Sequence, residues 1–208
     1  MLLTLGSKRK KGFTLVELMI TVAVIAILAL VAAPGLFIYI PTYKVNSATK
    51  ALTAQLQLAR AEAIAKNLDY RIRIDQSGQT LFVERIEDDN SVTLIKKYLF
   101  ELSGRANPDF PGVKVNRPSG VSFPPQSITE NTSAAIAFGV PGGSATYNQL
   151  TFMPNGISNY GGEFYITHSS NTELYNTRAV QVQRAGIIRA FKYTPPDTET
   201  GDYKWEGF

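Results

Sequence analysis

The residues best placed to do chemistry lie together near the N-terminus, in Lys8-Arg9-Lys10-Lys11-Gly12-Phe13-Thr14-Leu15-Val16-Glu17. Four consecutive cations stop at Gly12, and from Phe13 to Ile40 the only side chain charged at neutral pH is Glu17. A carboxylate in a membrane segment costs about 2.5–3.5 kcal/mol near a helix centre, and it marks a functional site that needs a partner. A peptide cut after Gly12 supplies one, because the new α-amino group of Phe13 is a cation four residues away. An ordinary signal peptide places its small-residue cleavage site after an apolar region of about 7–15 residues. Here the glycine comes first, so such a cut leaves the apolar helix on the mature chain.

Other candidates are few. His168 is the only histidine and there is no cysteine. Without clustered carboxylates beside it, His168 reads as a strand-edge residue and not as a metal ligand or general base. No serine sits in a nucleophile-elbow context, and none has a second histidine to serve it. Asp197, Glu199 and Asp202, beside Gly201, carry the oxygen ligands calcium favours. They lie in a polar tail, where a solvated terminus is the simpler reading. No catalytic constellation, cofactor or metal site is expected, and the enzyme reading is set aside.

The elements that position Glu17 follow from hydropathy. Residues 1–12 form a basic leader, to be left out of fold reasoning. The 28 residues 13–40 would span roughly 42 Å as a helix, more than the ~30 Å core of a bilayer. They read as a membrane-spanning segment with its basic flank in the cytoplasm and the rest of the chain outside. Pro34-Gly35 and Pro41 should kink or unwind it. Residues 41–67 continue as an amphipathic helix: Val45, Ala48, Leu52, Leu56, Ala59 and Ala63 recur at three- and four-residue spacing, with Lys50, Gln57, Arg60 and Lys66 elsewhere on the wheel, and Asn67 is a stop signal. The apolar stripe should pack against a sheet.

Four of the 21 cations lie in residues 1–12, which leaves 17 against 17 acids in residues 13–208. The formal charge of +4 therefore belongs to the leader, and the remaining chain is neutral, with no general attraction to nucleic acid. With no cysteine to bridge, the outer domain must be held by its core alone.

From Leu68 the period changes to two. Tyr70–Ile74, Thr80–Ile86 and Ser91–Leu102 read as strands around turns at 75–78 and 87–90. The Pro- and Gly-rich stretch 103–125 holds only short pieces, at 113–115 and 121–123. Ala134–Phe138, Gln149–Phe152, Glu163–His168, Arg178–Arg184 and Ile187–Tyr193 bring the total to about eight strands over residues 68–194, followed by a polar tail at 195–208. Phe123, Phe138, Phe152, Phe164 and Tyr165 are core candidates. The fold class is α+β: a long N-terminal helix continuing into an amphipathic helix, packed on a small antiparallel β-sandwich.

The stretch Lys11-Gly12-Phe13-Thr14-Leu15-Val16-Glu17-Leu18 before a long apolar helix resembles the class III leader of type IV pilins and type II secretion pseudopilins. Leu150–Gly162, with its Phe-x-Pro-x-Gly turn, and the later Gly186-Ile187-Ile188-Arg189 resemble H-type pseudopilins and FimT/FimU-type minor pilins. The resemblance implies that a prepilin peptidase cuts between Gly12 and Phe13 and methylates the Phe13 amine. It implies that Glu17 pairs with such an amine during filament assembly, with Pro34 the helix-loosening proline of the family. Partners would be the peptidase, the inner membrane, and other pilins or pseudopilins met through the N-terminal helix. The chain would be a single-pass inner-membrane protein with an exported domain, later part of a pilus or pseudopilus in the periplasm or at the cell surface. The alternative is a FimT-like minor pilin that binds DNA through a Gly-Arg-x-Arg element. Arg178, Arg184, Arg189 and Lys192 would make the contact, but Ile187 replaces the first arginine of that element, so this reading is not favoured.

Overall fold

The computed structural model describes residues 12–125, 127, 134–140, 147–170, 174–194 and 204–207, and of residues 33, 34, 36–38 and 175 the backbone only. The chain divides into two units at Ile40/Pro41. Helix α1, Leu15–Lys66, enters both. Within the first unit every described side chain is exposed, and Leu15–Ala32 is long and apolar enough to cross a membrane. The helix is assigned without a break through Pro34 and Pro41, so the local unwinding expected at these prolines does not occur.

In the second unit the helical stripe is the floor of the core. Val45, Ala48, Thr49, Leu52, Leu56, Ala59 and Ala63 are each at most 1% exposed. Burying a side chain such as Leu52 or Leu56 is worth about 1.5–3 kcal/mol. The helix ends where Asn67 takes a left-handed φ of 54° and the Leu68 N–H donates to the Ala63 carbonyl at 3.3 Å.

Two antiparallel sheets lie on this stripe. The first has the order β3(Val92–Leu99)-β2(Thr80–Ile86)-β1(Asp69–Asp75)-β6(Gln149–Phe152). In β1 the buried residues Tyr70, Ile72 and Ile74 alternate with Arg71 and Arg73, as period two requires. The second has the order β10(Lys204–Gly207)-β9(Ile188–Thr194)-β8(Arg178–Val182)-β7(Gly161–His168), and β4(Val113–Val115) and β5(Ile136–Gly139) share the other edge of β7. Inward residues of both sheets, among them Phe138, Phe152, Phe164 and Val180, join the helical stripe in one core.

Tyr165 belongs to a second, smaller cluster with Val121, Ala179, Phe191 and Tyr193 on the opposite face of the larger sheet. Phe123 is only half-buried, with the Arg117 guanidinium 4.0 Å from its ring centroid. Two expectations need correction. Residues 121–123 form no strand, and the end of the chain is not polar tail throughout. Lys204–Gly207 pair with β9, and Trp205 packs edge-on to Tyr193 with centroids 5.0 Å apart while its Nε1–H donates to Ser122 O at 3.2 Å. One tryptophan gives this short strand the apolar area that its neighbours lack.

Candidate assembly and processing site

Gly12 and Phe13 precede the helix and are exposed, Phe13 at 83%. Thr14 and Glu17 cap the helix reciprocally. The Glu17 N–H donates to Thr14 Oγ1 at 3.2 Å, while the Thr14 N–H and hydroxyl donate to Glu17 Oε2 at 3.1 and 3.2 Å. This is a capping box, worth about 1 kcal/mol, with a carboxylate where the helix dipole favours negative charge. The Thr-x-x-Glu spacing was present in the sequence as its signal. The box fixes the only carboxylate of the apolar segment in the first turn, beside the Gly12–Phe13 junction. Pro34 lies within the helix, and its side chain is outside the described residues.

At the far end of the second unit, two turns meet over the helix. The first follows Phe152, where the Gly156 N–H donates to Met153 O at 2.8 Å and the Met153 N–H to Ile157 O at 2.9 Å. In the second, between β8 and β9, the Gly186 N–H donates to Gln183 O at 2.8 Å. The Ser158 N–H donates across to Arg184 O at 2.8 Å, and Arg60 Nε donates to Gly156 O at 2.8 Å. Gly186 has φ +79°, and a Cβ on it would overlap both Gly156 O and the Arg60 guanidinium. The Phe-x-Pro-x-Gly and Gly-x-x-Arg elements are therefore one structure, clamped by a helical arginine. Arg60 was not legible as its partner, since 96 residues separate Arg60 from Gly156.

The four basic residues singled out for DNA do not form one patch. Arg178 is 0% exposed, and its Nε donates to Asn46 Oδ1 on the helix and its Nη1 to Thr177 O, both at 2.8 Å. Burial pulls its pKa down to about 10, so it stays cationic at neutral pH but faces no solvent. Arg184 and Arg189 are exposed and Lys192 is half-buried. Arg189 and Lys192 are three residues apart on β9 and so point to opposite faces of the sheet. His168 ends β7, half-buried, with Ser170 Oγ 2.6 Å from its Nδ1. Among the described residues no group of three or more His, Cys, Asp or Glu side chains could hold a metal, and Asp197, Glu199 and Asp202 lie outside them.

The model of the prokaryotic N-terminal methylation motif matches residues 7–33. That of the type II transport protein GspH matches residues 48–186, about two-thirds of the chain. Similar solved structures include the minor pseudopilin EpsH from the type 2 secretion system of Vibrio cholerae, at 14% identity, TM-score 0.46, and 72% of this chain against 97% of that one. The type IV minor pilin FimU of Pseudomonas aeruginosa follows at 18% identity, TM-score 0.43, and 70% against 87%. No curated protein sequence matches significantly. The chain belongs to the type II transport protein GspH family and carries the N-terminal methylation motif, and it is a minor pilin or pseudopilin subunit.

Proposed function

We propose that a prepilin peptidase removes residues 1–12 and methylates the Phe13 amine. Glu17 then neutralises a Phe13 amine, that of a neighbouring subunit, as the helix packs into a filament. Before assembly the protein sits in the inner membrane by one pass, with residues 41–208 exported. Afterwards it is part of a type IV pilus or type II secretion pseudopilus, in the periplasm or at the cell surface. One observation carries the reading: the capping box holds the single carboxylate of the apolar segment beside the junction that cleavage would turn into an amine. In an apolar filament core, removing the carboxylate strands a buried cation, which costs about 3–5 kcal/mol.

Glu17→Ala is therefore expected to be cleaved normally and to lose incorporation into filaments and co-purification with partner pilins. Normal incorporation of this variant would show that the carboxylate has no assembly role here. DNA binding is not favoured, since Arg178 is buried and Arg189 and Lys192 face apart.

A further inference from the structure

Strand β3 is the outer edge of the smaller sheet, and among the described residues it pairs as a strand with β2 alone. Its far end is already covered. The Leu99 N–H donates to Asp109 Oδ2 at 2.7 Å, and Leu99 O accepts the Phe110 N–H at 3.2 Å. The near end is open. Ser91 O accepts the Glu87 N–H at 2.9 Å, so Ser91 faces β2, and alternation turns the backbone N–H and C=O of Val92 and Leu94 away from the sheet. Val92, Leu94 and Ile95 are 48%, 54% and 39% exposed. An apolar edge with open backbone groups is a template for another strand.

Charge decides which strand fits. The edge begins at the acidic turn Glu87-Asp88-Asp89 and runs into Lys96-Lys97. Glu87 is held by Arg85, whereas Asp88, Asp89, Lys96 and Lys97 are in none of the ion pairs of the described residues. The two lysines lie over the rings of Tyr98 and Phe82, 5.3 and 5.9 Å from the centroids. Edge lysines guard a strand against pairing. Here a uniformly acidic or uniformly basic partner meets repulsion at one end or the other. A second copy laid antiparallel instead sets the lysine end of each strand beside the acidic turn of its mate, while a parallel copy sets lysine beside lysine. The edge is thus self-complementary in one direction, as a two-fold contact requires.

The open groups also set the register. Antiparallel strands exchange hydrogen bonds between opposed residues whose backbone groups both face the partner. The register that bonds both open residues of each copy puts Val92 opposite Leu94 of the other, and Thr93 opposite Thr93. It gathers the exposed Val92 and Leu94 side chains of both copies on one face. We propose that two copies of this chain pair edge to edge along β3 in this antiparallel register. A contact of this size belongs to the transient class, so it must be trapped to be seen. It requires neither cleavage after Gly12 nor entry into a filament.

The chain has no cysteine, so one introduced thiol reports one position. In the detergent-solubilised full chain, Thr93→Cys should give a disulfide-linked dimer on oxidation with copper phenanthroline. Directly opposed residues have Cβ atoms about 4.5–5.5 Å apart, and closest where no hydrogen bond joins them, which is near disulfide reach. Leu94→Cys, at an equally exposed position, would stand diagonally from its counterpart at about 7–8 Å and should link poorly. Lys96→Glu with Lys97→Glu should abolish the Thr93→Cys link, and adding Asp88→Lys with Asp89→Lys should restore it. All four side chains are exposed. Absence of a Thr93→Cys dimer, equal linking through Leu94→Cys, a link that survives reversal of the lysines, or one that the full exchange does not restore would each overturn the pairing.

Discussion

Gly186 is the residue whose replacement should be felt most widely, because its missing Cβ lets three elements meet. Gly186→Ala would force a side chain into Gly156 O and the Arg60 guanidinium at a left-handed φ, a strain of about 1–3 kcal/mol. Urea unfolding of the exported unit should show a loss of that order, whereas Gly104→Ala, where nothing lies within 4 Å, should lose less. An equal loss in the two variants would show that the contact with Gly156 adds nothing. Among residues, the sequence made Glu17 legible, since it stands alone in an apolar run. It did not reveal Arg60 or Asn46, whose partners Gly156 and Arg178 are 96 and 132 residues away. Arg178 was misjudged for the same reason, because composition places arginines on the surface and only the fold shows this one buried against the helix.

At the scale of elements, the helical stripe carries the core. Leu52→Ala should cost about 2–5 kcal/mol in an unfolding titration, while the exposed neighbour Gln57→Ala should stay within about 0.5 kcal/mol. Near-equal losses would mean that the stripe is not the floor of the core. The end of the helix adds a pH dependence. The Tyr70 hydroxyl, at 2.7 Å, and then the Lys66 ammonium, at 3.0 Å, hold the Glu62 carboxyl below its ordinary 4.5. A carboxylate depressed in the folded state stabilises above its unfolded pKa, and that contribution disappears as pH falls through the folded value. Stability should therefore decline as pH falls below about 4.5, and less steeply in Glu62→Gln. Equal slopes would remove Glu62 from the account. Period made most elements legible: the stripe from Val45 to Ala63 and the strands at 80–86, 113–115 and 149–152 fall where spacing predicts. Strand β10 was missed because four residues carry no period, and only the packing of Trp205 on Tyr193 gives them a place.

For the whole molecule, the division of labour follows from charge and hydropathy. Residues 1–12 hold four cations and no acid, the apolar segment holds one carboxylate, and the rest is a β-rich unit with 17 cations against 16 acids and, among its described residues, no group of three or more His, Cys, Asp or Glu side chains that could hold a metal. On the proposed reading, such a chain is cut, inserted and assembled. On that reading the apolar helix becomes the N-terminus of the working protein. Intact mass and N-terminal sequencing of the membrane-fraction protein, from cells with an active prepilin peptidase, test it directly. The predicted result is a 196-residue chain that begins with N-methylated Phe13. A protein that still carries residues 1–12 in those cells would contradict the account.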